Sequence, residues 1–402
     1  MDVAIVGGGQ SGLSVARSLS NAGIENVVLE RGRVAQAWRD RWDSFCLVTP
    51  NWAIELTDRG YEGTDPDGFM RRDDIVDLIQ GYARMMNIYV REGVEVTAID
   101  ADPEGFLVDT SSGTLRTKAV VLCNGAFQRP FRPAGHESLP ADIFQIDSTA
   151  YRKPEDLPAG DVLIIGSGQT GCQLAEELHG AGRQVVLSCG KAPWIPRRLG
   201  DKDIVWWAVE TGFLEQPVTA LPHPSARLGA NLLNTGHDGG HDLHYRTLQQ
   251  QGIMLTGRFL GADGYEAIFA DDLAQSVAWG DERYREFTSL IEDLVRAKGI
   301  TGVRIEEPPP FVADAPQRLS LFGFGAVVFT GGFRPDYGGL VPWPMALDEY
   351  GFPVQVDGAS VIKEGLFFAG VHFLRKRKSS ILLGTGEDAA VVAGKVGEYL
   401  RA

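Results

Sequence analysis

Cysteine is scarce. The 402 residues hold four, Cys46, Cys123, Cys172 and Cys189, and no two form a C-x-x-C pair. Their spacing matches neither a zinc site nor a disulfide framework, which excludes a dithiol redox centre and fits a reducing compartment, the cytoplasm. Positive charge is also in deficit, with 38 Lys and Arg against 53 Asp and Glu, a net charge of −15. Such a field repels phosphodiester backbones and anionic bilayers, so neither nucleic acid nor a membrane surface is an expected partner. No apolar run approaches the roughly 18 residues of a membrane span, and the opening VAIVGGG meets glycine too soon for a secretion signal. No nucleophile triad or carboxylate pair stands out. His237, His241 and His244 have the spacing of metal ligands on a helix, but Gly239 and Gly240 interrupt it, and no metal is expected.

Glycine, by contrast, is abundant, 49 residues spread over a chain that is 44% hydrophobic and 23% charged. That is the composition of an α/β protein with nucleotide-binding turns, and at roughly 150 residues per domain the length allows two or three.

Two stretches carry those turns. Asp2 to Val6 is apolar and β-branched, Gly7-Gly8-Gly9-Gln10-Ser11-Gly12 follows, and Leu13 to Ala22 has helical periodicity. Gly7 permits the tight turn, Gly9 lets the backbone approach a pyrophosphate at the helix N-terminus, and Gly12 lets helix pack on strand. The next strand, Asn26 to Leu29, ends in Glu30, where a carboxylate accepts hydrogen bonds from ribose hydroxyls. The unit then recurs as strand Asp161 to Ile165, turn Gly166-Ser167-Gly168-Gln169-Thr170-Gly171, helix Cys172 to Gly182 and strand Gln184 to Leu187. Here Ser188 stands where the acidic residue is expected, followed by Lys191, Arg197 and Arg198. A missing carboxylate beside basic residues suits a 2′-phosphate, so the reading is FAD at the first turn and NADPH at the second.

Between the units, Arg71 to Asn87 reads as an amphipathic helix and Phe106 to Val121 as a hairpin turning at Ser111-Ser112-Gly113. After the second unit, a largely helical insertion from about 199 to 316 holds the Trp206-Trp207 pair and a helical run from Asp281 to Lys298. Adjacent positions on a helix diverge, so at most one of the two tryptophans can face a pocket. Strand Ala326 to Phe329, strand Gly365 to Ala369 and a last helix Glu387 to Leu400 complete the chain. The expected architecture is α/β, with two Rossmann-like dinucleotide-binding domains: residues 1–155 for FAD, 156–340 for NADPH, and 341–402 returning to the FAD domain.

Taken together, GGGQSG, VAQAW at Val34 to Trp38, RWDSFCLVTPNW at Arg41 to Trp52, GSGQTG, TGGFRPD at Thr330 to Asp336 and HFLRKRKSSILLGTGEDAA resemble the class B flavoprotein monooxygenases, the flavin-containing monooxygenase-like family. The resemblance covers nearly the whole chain. It implies FAD contacts at Trp38, Arg31, Val96, Gly125, Leu383 and Thr385, NADPH-side contacts at Thr330 and Gly331, and a flavin-lining segment at Ser44 to Asn51. Within that segment Asn51 is the expected catalytic donor, with Thr49 as its rival. One departure stands out: in the family fingerprint FxGxxxHxxx(Y/F/W), Tyr151 fills the last place, but Asp147 replaces the histidine and Ala141 and Ile143 replace F and G.

The implied activity is NADPH-dependent reduction of FAD, formation of a C4a-(hydro)peroxyflavin with O2, and transfer of one oxygen atom to a small organic substrate. Amine or sulfide oxidation is favoured, with Baeyer-Villiger chemistry as the variant. Two other readings remain, a flavoprotein reductase or dehydrogenase passing electrons to a partner, and a nucleotide-sensing flavoprotein without turnover. A homo-oligomer is compatible with the sequence. The run Arg375-Lys376-Arg377-Lys378 reads as a solvated or phosphate-facing loop, and Thr385, Glu387 and Asp388 suit the start of a helix.

Overall fold

Val3–Val6 is apolar at every position and wholly buried, as a central parallel strand covered on both faces must be. In the computed structural model, which describes residues 1–229 and 231–402, it pairs in parallel with Asn26–Glu30 on one side and Ala119–Leu122 on the other. Val90–Glu92 extends this sheet beyond Asn26–Glu30, and Leu366–Phe368 extends it beyond Ala119–Leu122. A strand from near the end of the chain thus joins the first sheet, and the short antiparallel strands Ala359–Ser360 and Gln355–Val356 finish that edge. A second sheet repeats the plan. Asp161–Ile165 lies between Val185–Ser188 and Phe324–Phe329, with Phe144–Asp147 and Met254–Thr256 on the edges, all parallel. The helices Gln10–Asn21 and Gln169–Gly180 follow the two central strands, and Arg72–Met85 forms the expected amphipathic helix.

Four local expectations change. The hairpin turns at Ser111-Ser112 as read, but it ends at Thr117. Ala119–Leu122, buried throughout, leaves it to run beside Val3–Val6, because four apolar residues in a row suit a two-sided parallel strand. The strand Phe144–Asp147 belongs to the second sheet, so the chain crosses between sheets before residue 144 and not at 155. The stretch 199–316 is not all insertion. It carries the helices Ile204–Glu210, Tyr245–Gln251 and Leu273–Lys298, yet Met254–Thr256 within it is an edge strand of the second sheet. The final helix begins at Leu382, so Thr385 lies inside it, its hydroxyl donating back to Ile381 O at 3.1 Å, and is not a cap.

The crossing explains the altered fingerprint. Arg129–Pro130 pairs with Phe333–Arg334 there. Beside it, Arg132 donates two hydrogen bonds of 2.8 Å to the Asp147 carboxylate while its guanidinium lies 4.3 Å from the Phe329 ring. A carboxylate thus fills the histidine position and binds an arginine that spans both strands of the crossing. Tyr151 is fully buried and donates to Glu177 Oε1 at 3.1 Å.

The basic run is neither solvated nor free for phosphate. Lys376 and Lys378 each bridge Glu215 and Glu387 at 2.5 to 2.7 Å, and Arg375 binds Asp357, Glu387 and Asp388. These pairs clamp the turn Phe213–Glu215 to the start of the last helix. Burial opposes the charge on Glu387, but hydrogen bonds from Lys376 and Lys378 outweigh it and hold the group down at about 2. A depressed carboxylate contributes stability above its ordinary value near 4.5 and loses it as pH falls toward 2. The thermal midpoint of the wild type should accordingly exceed that of Glu387→Gln at neutral pH, and the gap should narrow steadily below pH 4.5, as read by thermal unfolding over a pH series.

Candidate functional site: two glycine turns facing one seam

The two turns are built alike. Gly7 and Gly166 have φ of +111° and +114°, and a Cβ on either would meet a backbone oxygen, Cys123 O at 2.5 Å or Thr330 O at 2.6 Å. A Cβ on Gly12 or Gly171 would stand 2.0 Å from Gly7 O or Gly166 O, so only glycine lets the helices sit this close. Gly9 and Gly168 precede the helices in extended conformation with no side-chain cap, which leaves the first N–H groups free for an anion. A Cβ on Gly9 would enter open space, and the buried Asn124 Oδ1 beside Gly7 has no partner. A dinucleotide phosphate fits this cradle.

Around the first turn, Glu30 Oε2 accepts from Gly8 N and Oε1 from Gly32 N, each at 2.7 Å, and each oxygen keeps a lone pair for a ribose hydroxyl. Gly125 borders Asn124 with its own Cβ direction open, Arg31 is exposed, and Val96 lies two residues beyond Val94, whose N–H binds Glu30 O. Gly370 brings the return segment so close that a Cβ there would lie 2.5 Å from Ser11 Oγ. Leu383 is buried where the last helix begins.

At the second turn the pairing register corrects one expectation. Val6 pairs with Leu29 and Ile165 with Ser188, so the position equivalent to Glu30 is Cys189, one residue later. Ser188 is not available to a ligand, since its hydroxyl donates to Gly257 O and accepts from Phe259 N. The bridging done by Glu30 passes to Ser167, whose Oγ accepts from Gly190 N at 2.8 Å and meets Tyr245 OH at 2.5 Å. Thr330 is pinned to the turn, donating to Gly166 O at 2.6 Å, and Gly331 lies where a Cβ would strike Phe131 O. Gln169 donates to Asn234 O, while Thr170 is half-buried at the helix start.

The expected arginine fork is also rearranged. Arg197 is buried and spent within the protein, on Asp203, Val48 O, Asn234 and Thr235 O, with its guanidinium over Phe69. Arg198 donates to Gly239 O and Gly240 O. Lys191 remains exposed, and Arg258, whose Cγ lies 4.0 Å from a Cβ built on Gly190, is its neighbour. Sequence inspection missed Arg258 because it follows a later strand of the same sheet.

Residues 38 to 51 run along the seam between the units. Trp38 Nε1 donates to Gln10 Oε1 at 2.9 Å, Ser44 Oγ to Glu177 Oε2 at 2.8 Å, and Arg197 to Val48 O at 2.7 Å. Asn51 does not offer its amide to a ligand. Nδ2 donates to Asp65 O and Oδ1 accepts from Met70 N, so it acts as a strut for the 65–70 loop. Thr49 is half-buried, and its hydroxyl has no partner among the described residues. Phe127 touches Phe333 at 5.3 Å and His372 at 4.9 Å. His372 Nδ1 pairs with Ser380 Oγ at 2.8 Å, and burial pushes its pKa down to about 4, so the ring is neutral at pH 7. Its place within HFLRKRKSS was the one signal for it in the sequence. An open cavity of about 660 Å³ adjoins the end of the seam, lined by Asn51, Phe69, Met70 and Tyr82 but not by Phe45, Phe127 or His372.

The remaining candidates are structural. All four cysteines are buried and unpaired, and burial raises the Cys46 thiol to about 11. Trp207 is fully buried, donating to Leu199 O, while Trp206 stands half-exposed beside it. His241 pairs with Glu176, and His244 packs on Trp194. Among the described residues no group of three or more His, Cys, Asp or Glu is arranged to hold a metal, and no helix is long and apolar enough to cross a membrane.

Two glycine-turn units, each on a sheet whose central strands are parallel, the first joined by a distant return segment, define a flavoprotein with two dinucleotide-binding domains. Residues 4–205 match the model of the pyridine nucleotide-disulphide oxidoreductase family, and the chain belongs to that family, with FAD and a pyridine nucleotide as cofactors; it is similar to flavin-containing monooxygenases. An uncharacterized CzcO-like oxidoreductase of Geobacillus kaustophilus is 26% identical, covering 97% of this chain and 96% of its own. Human flavin-containing monooxygenase 5 is 26% identical over 50% of this chain and 42% of its own. Among solved structures, a flavin-containing monooxygenase from Stenotrophomonas maltophilia aligns with a TM-score of 0.66 at 18% identity over 99% and 98% of the two chains. The bacillithiol disulfide reductase of Staphylococcus aureus aligns at 0.64 with 14% identity over 98% and 97%. These last two likenesses are likenesses of fold.

Two outcomes follow from the turns. Gly12→Val should yield protein that retains no flavin, read from the absorbance of purified material, because its Cβ would stand 2.0 Å from Gly7 O. Lys191→Gln should weaken NADPH about 10-fold and NADH hardly at all, measured by equilibrium binding, as loss of one charged contact to a 2′-phosphate would do.

Proposed function

We propose that the protein is an NADPH-dependent flavin monooxygenase that places one atom of O2 in a small organic substrate, an amine or sulfide in preference to a carbonyl compound. The observation that supports this reading is the segment from Trp38 to Asn51, which touches the first unit through Gln10 and the second through Glu177, so one seam serves both coenzymes. Aromatic rings line it, Trp38 and Phe45 with centroids 5.9 Å apart and the half-exposed Phe127 across Arg41 from Phe45. Disulfide reduction is disfavoured, because every thiol is buried and held protonated.

In this reading Gly7, Gly9, Gln10, Ser11 and Gly12 hold FAD, with Glu30 on its ribose. Gly166, Gly168, Gln169, Thr170 and Gly171 hold NADPH, with the exposed Lys191 at the 2′-phosphate; its neighbour Arg258 already donates to Asp272. Once bound, the pair supplies hydride transfer and the reduction of O2. The chain supplies position and proton control. Trp38 fixes Gln10 at the helix start, Thr49 takes over from Asn51 as the uncommitted donor, and neutral His372 holds or accepts a proton at Nε2, its Nδ1 being tied to Ser380.

With NADPH and isotopically labelled dioxygen, a panel of amines, sulfides and ketones should yield one product carrying a single labelled atom, read by mass spectrometry. NADPH consumption that ends wholly in hydrogen peroxide across that panel would refute the reading. His372→Gln should lower kcat by about 10²-fold while leaving the KM for NADPH unchanged, in line with removal of a general acid or base.

A further inference from the structure

The guanidinium of Arg41 has no counterpart. Several other partly or fully buried arginines are spent: Arg72 on Asp43 and Asp73, Arg132 on Asp147, Arg197 on Asp203, Arg246 on Asp281. Arg41 donates no side-chain hydrogen bond and enters no ion pair among the described residues, and its Nε is buried without a partner. Its backbone is anchored, the N–H donating to Trp38 O and the carbonyl accepting from Arg72, so the side chain is held in place. The rings of Phe45 and Phe127 flank it at 5.7 and 5.1 Å. Ring faces attract a cation but accept none of the in-plane N–H bonds that a guanidinium directs at an anion. Burial pushes Arg41 down only to about 10, so it stays charged at neutral pH.

Its position narrows the choice of anion. The FAD diphosphate belongs at the helix start Gln10, and a 2′-phosphate beside Lys191, past the end of Val185–Ser188. Arg41 instead lies beside the Phe127 ring, which packs against His372. In a chain of net charge −15, an unpaired cation between two phenylalanines is a selective attractor for a small anion with an apolar body. We infer that Arg41 is the recognition residue for the substrate, which carries a carboxylate on an aromatic or aliphatic frame, gripped by the guanidinium fork while Phe45 and Phe127 pack on the frame. This inference rests on the seam being the reaction site of the proposed monooxygenase.

Phenylacetate and phenylacetamide, matched in shape and differing in charge, provide the test. Each is titrated into the FAD-loaded protein, with perturbation of the flavin absorbance as readout and no turnover required. The wild type should bind phenylacetate at least about 10-fold tighter than the amide, the scale of one charge-assisted hydrogen-bonded pair. Arg41→Gln should abolish the preference with the amide affinity unchanged, and Arg41→Lys should keep part of it because the charge survives without the fork. Equal binding of the two probes by the wild type, or binding of neither, overturns the inference. So does loss of FAD content or of NADP+ affinity in Arg41→Gln or Arg41→Lys with the carboxylate preference intact, which would assign the guanidinium to a coenzyme phosphate. If carboxylate preference is found but no labelled oxygen reaches any product, the monooxygenase reading alone fails.

Discussion

The close contact of helix on strand at the two glycine turns is the constraint on which the molecule depends. Gly12 and Gly171 let each helix pack within van der Waals reach of the turn carbonyls of Gly7 and Gly166, where any side chain would collide. That approach aims the free N–H groups of each helix start at one point above the end of a parallel strand. The return segment depends on it too, since Gly370 reaches Ser11 only because the first turn is this compact.

Polar side chains then register the two units against each other. Glu177 receives Tyr151 from the crossing and Ser44 from the seam, and Arg197 reaches back to Val48 O. These groups look like ligand residues when read along the chain, being polar or basic and close to a nucleotide turn. Their burial instead makes them struts. A buried guanidinium left unpaired would be costly, so the fold gives Arg197 the Asp203 carboxylate and three further oxygen acceptors. Arg41, on the seam itself, has no carboxylate within ion-pair reach among the described residues and only the Phe45 and Phe127 rings beside it, and that contrast is the ground for reading it as a binding group.

The basic run near the C-terminus shows the same logic in reverse. Four consecutive cations suggest a phosphate patch, but Glu215 and Glu387 take up both lysines and Asp357 and Asp388 share Arg375. The run fastens the turn after Ile204–Glu210 to the last helix, joining a part of the second unit to the end of the first.

Both nucleotide units and the discontinuous plan were legible in the sequence, because a glycine turn and its flanking strand and helix are local, with the chemistry written into spacing alone. Glu30, Gly7 and Gly166 needed no partner from afar to be recognised. Tertiary structure decided the rest. Strand pairing puts the Glu30 equivalent at Cys189 and not Ser188, and the offset from each glycine turn agrees, since Cys189 stands as far beyond Gly166 as Glu30 beyond Gly7. Pairing also sent Phe144–Asp147 to the second sheet. Whether a polar group serves a ligand or the fold depends on which distant acceptors come within reach. Only folding could commit Asn51 to Asp65 and Met70, commit Arg197 to Asp203, and leave Arg41 with nothing but two rings.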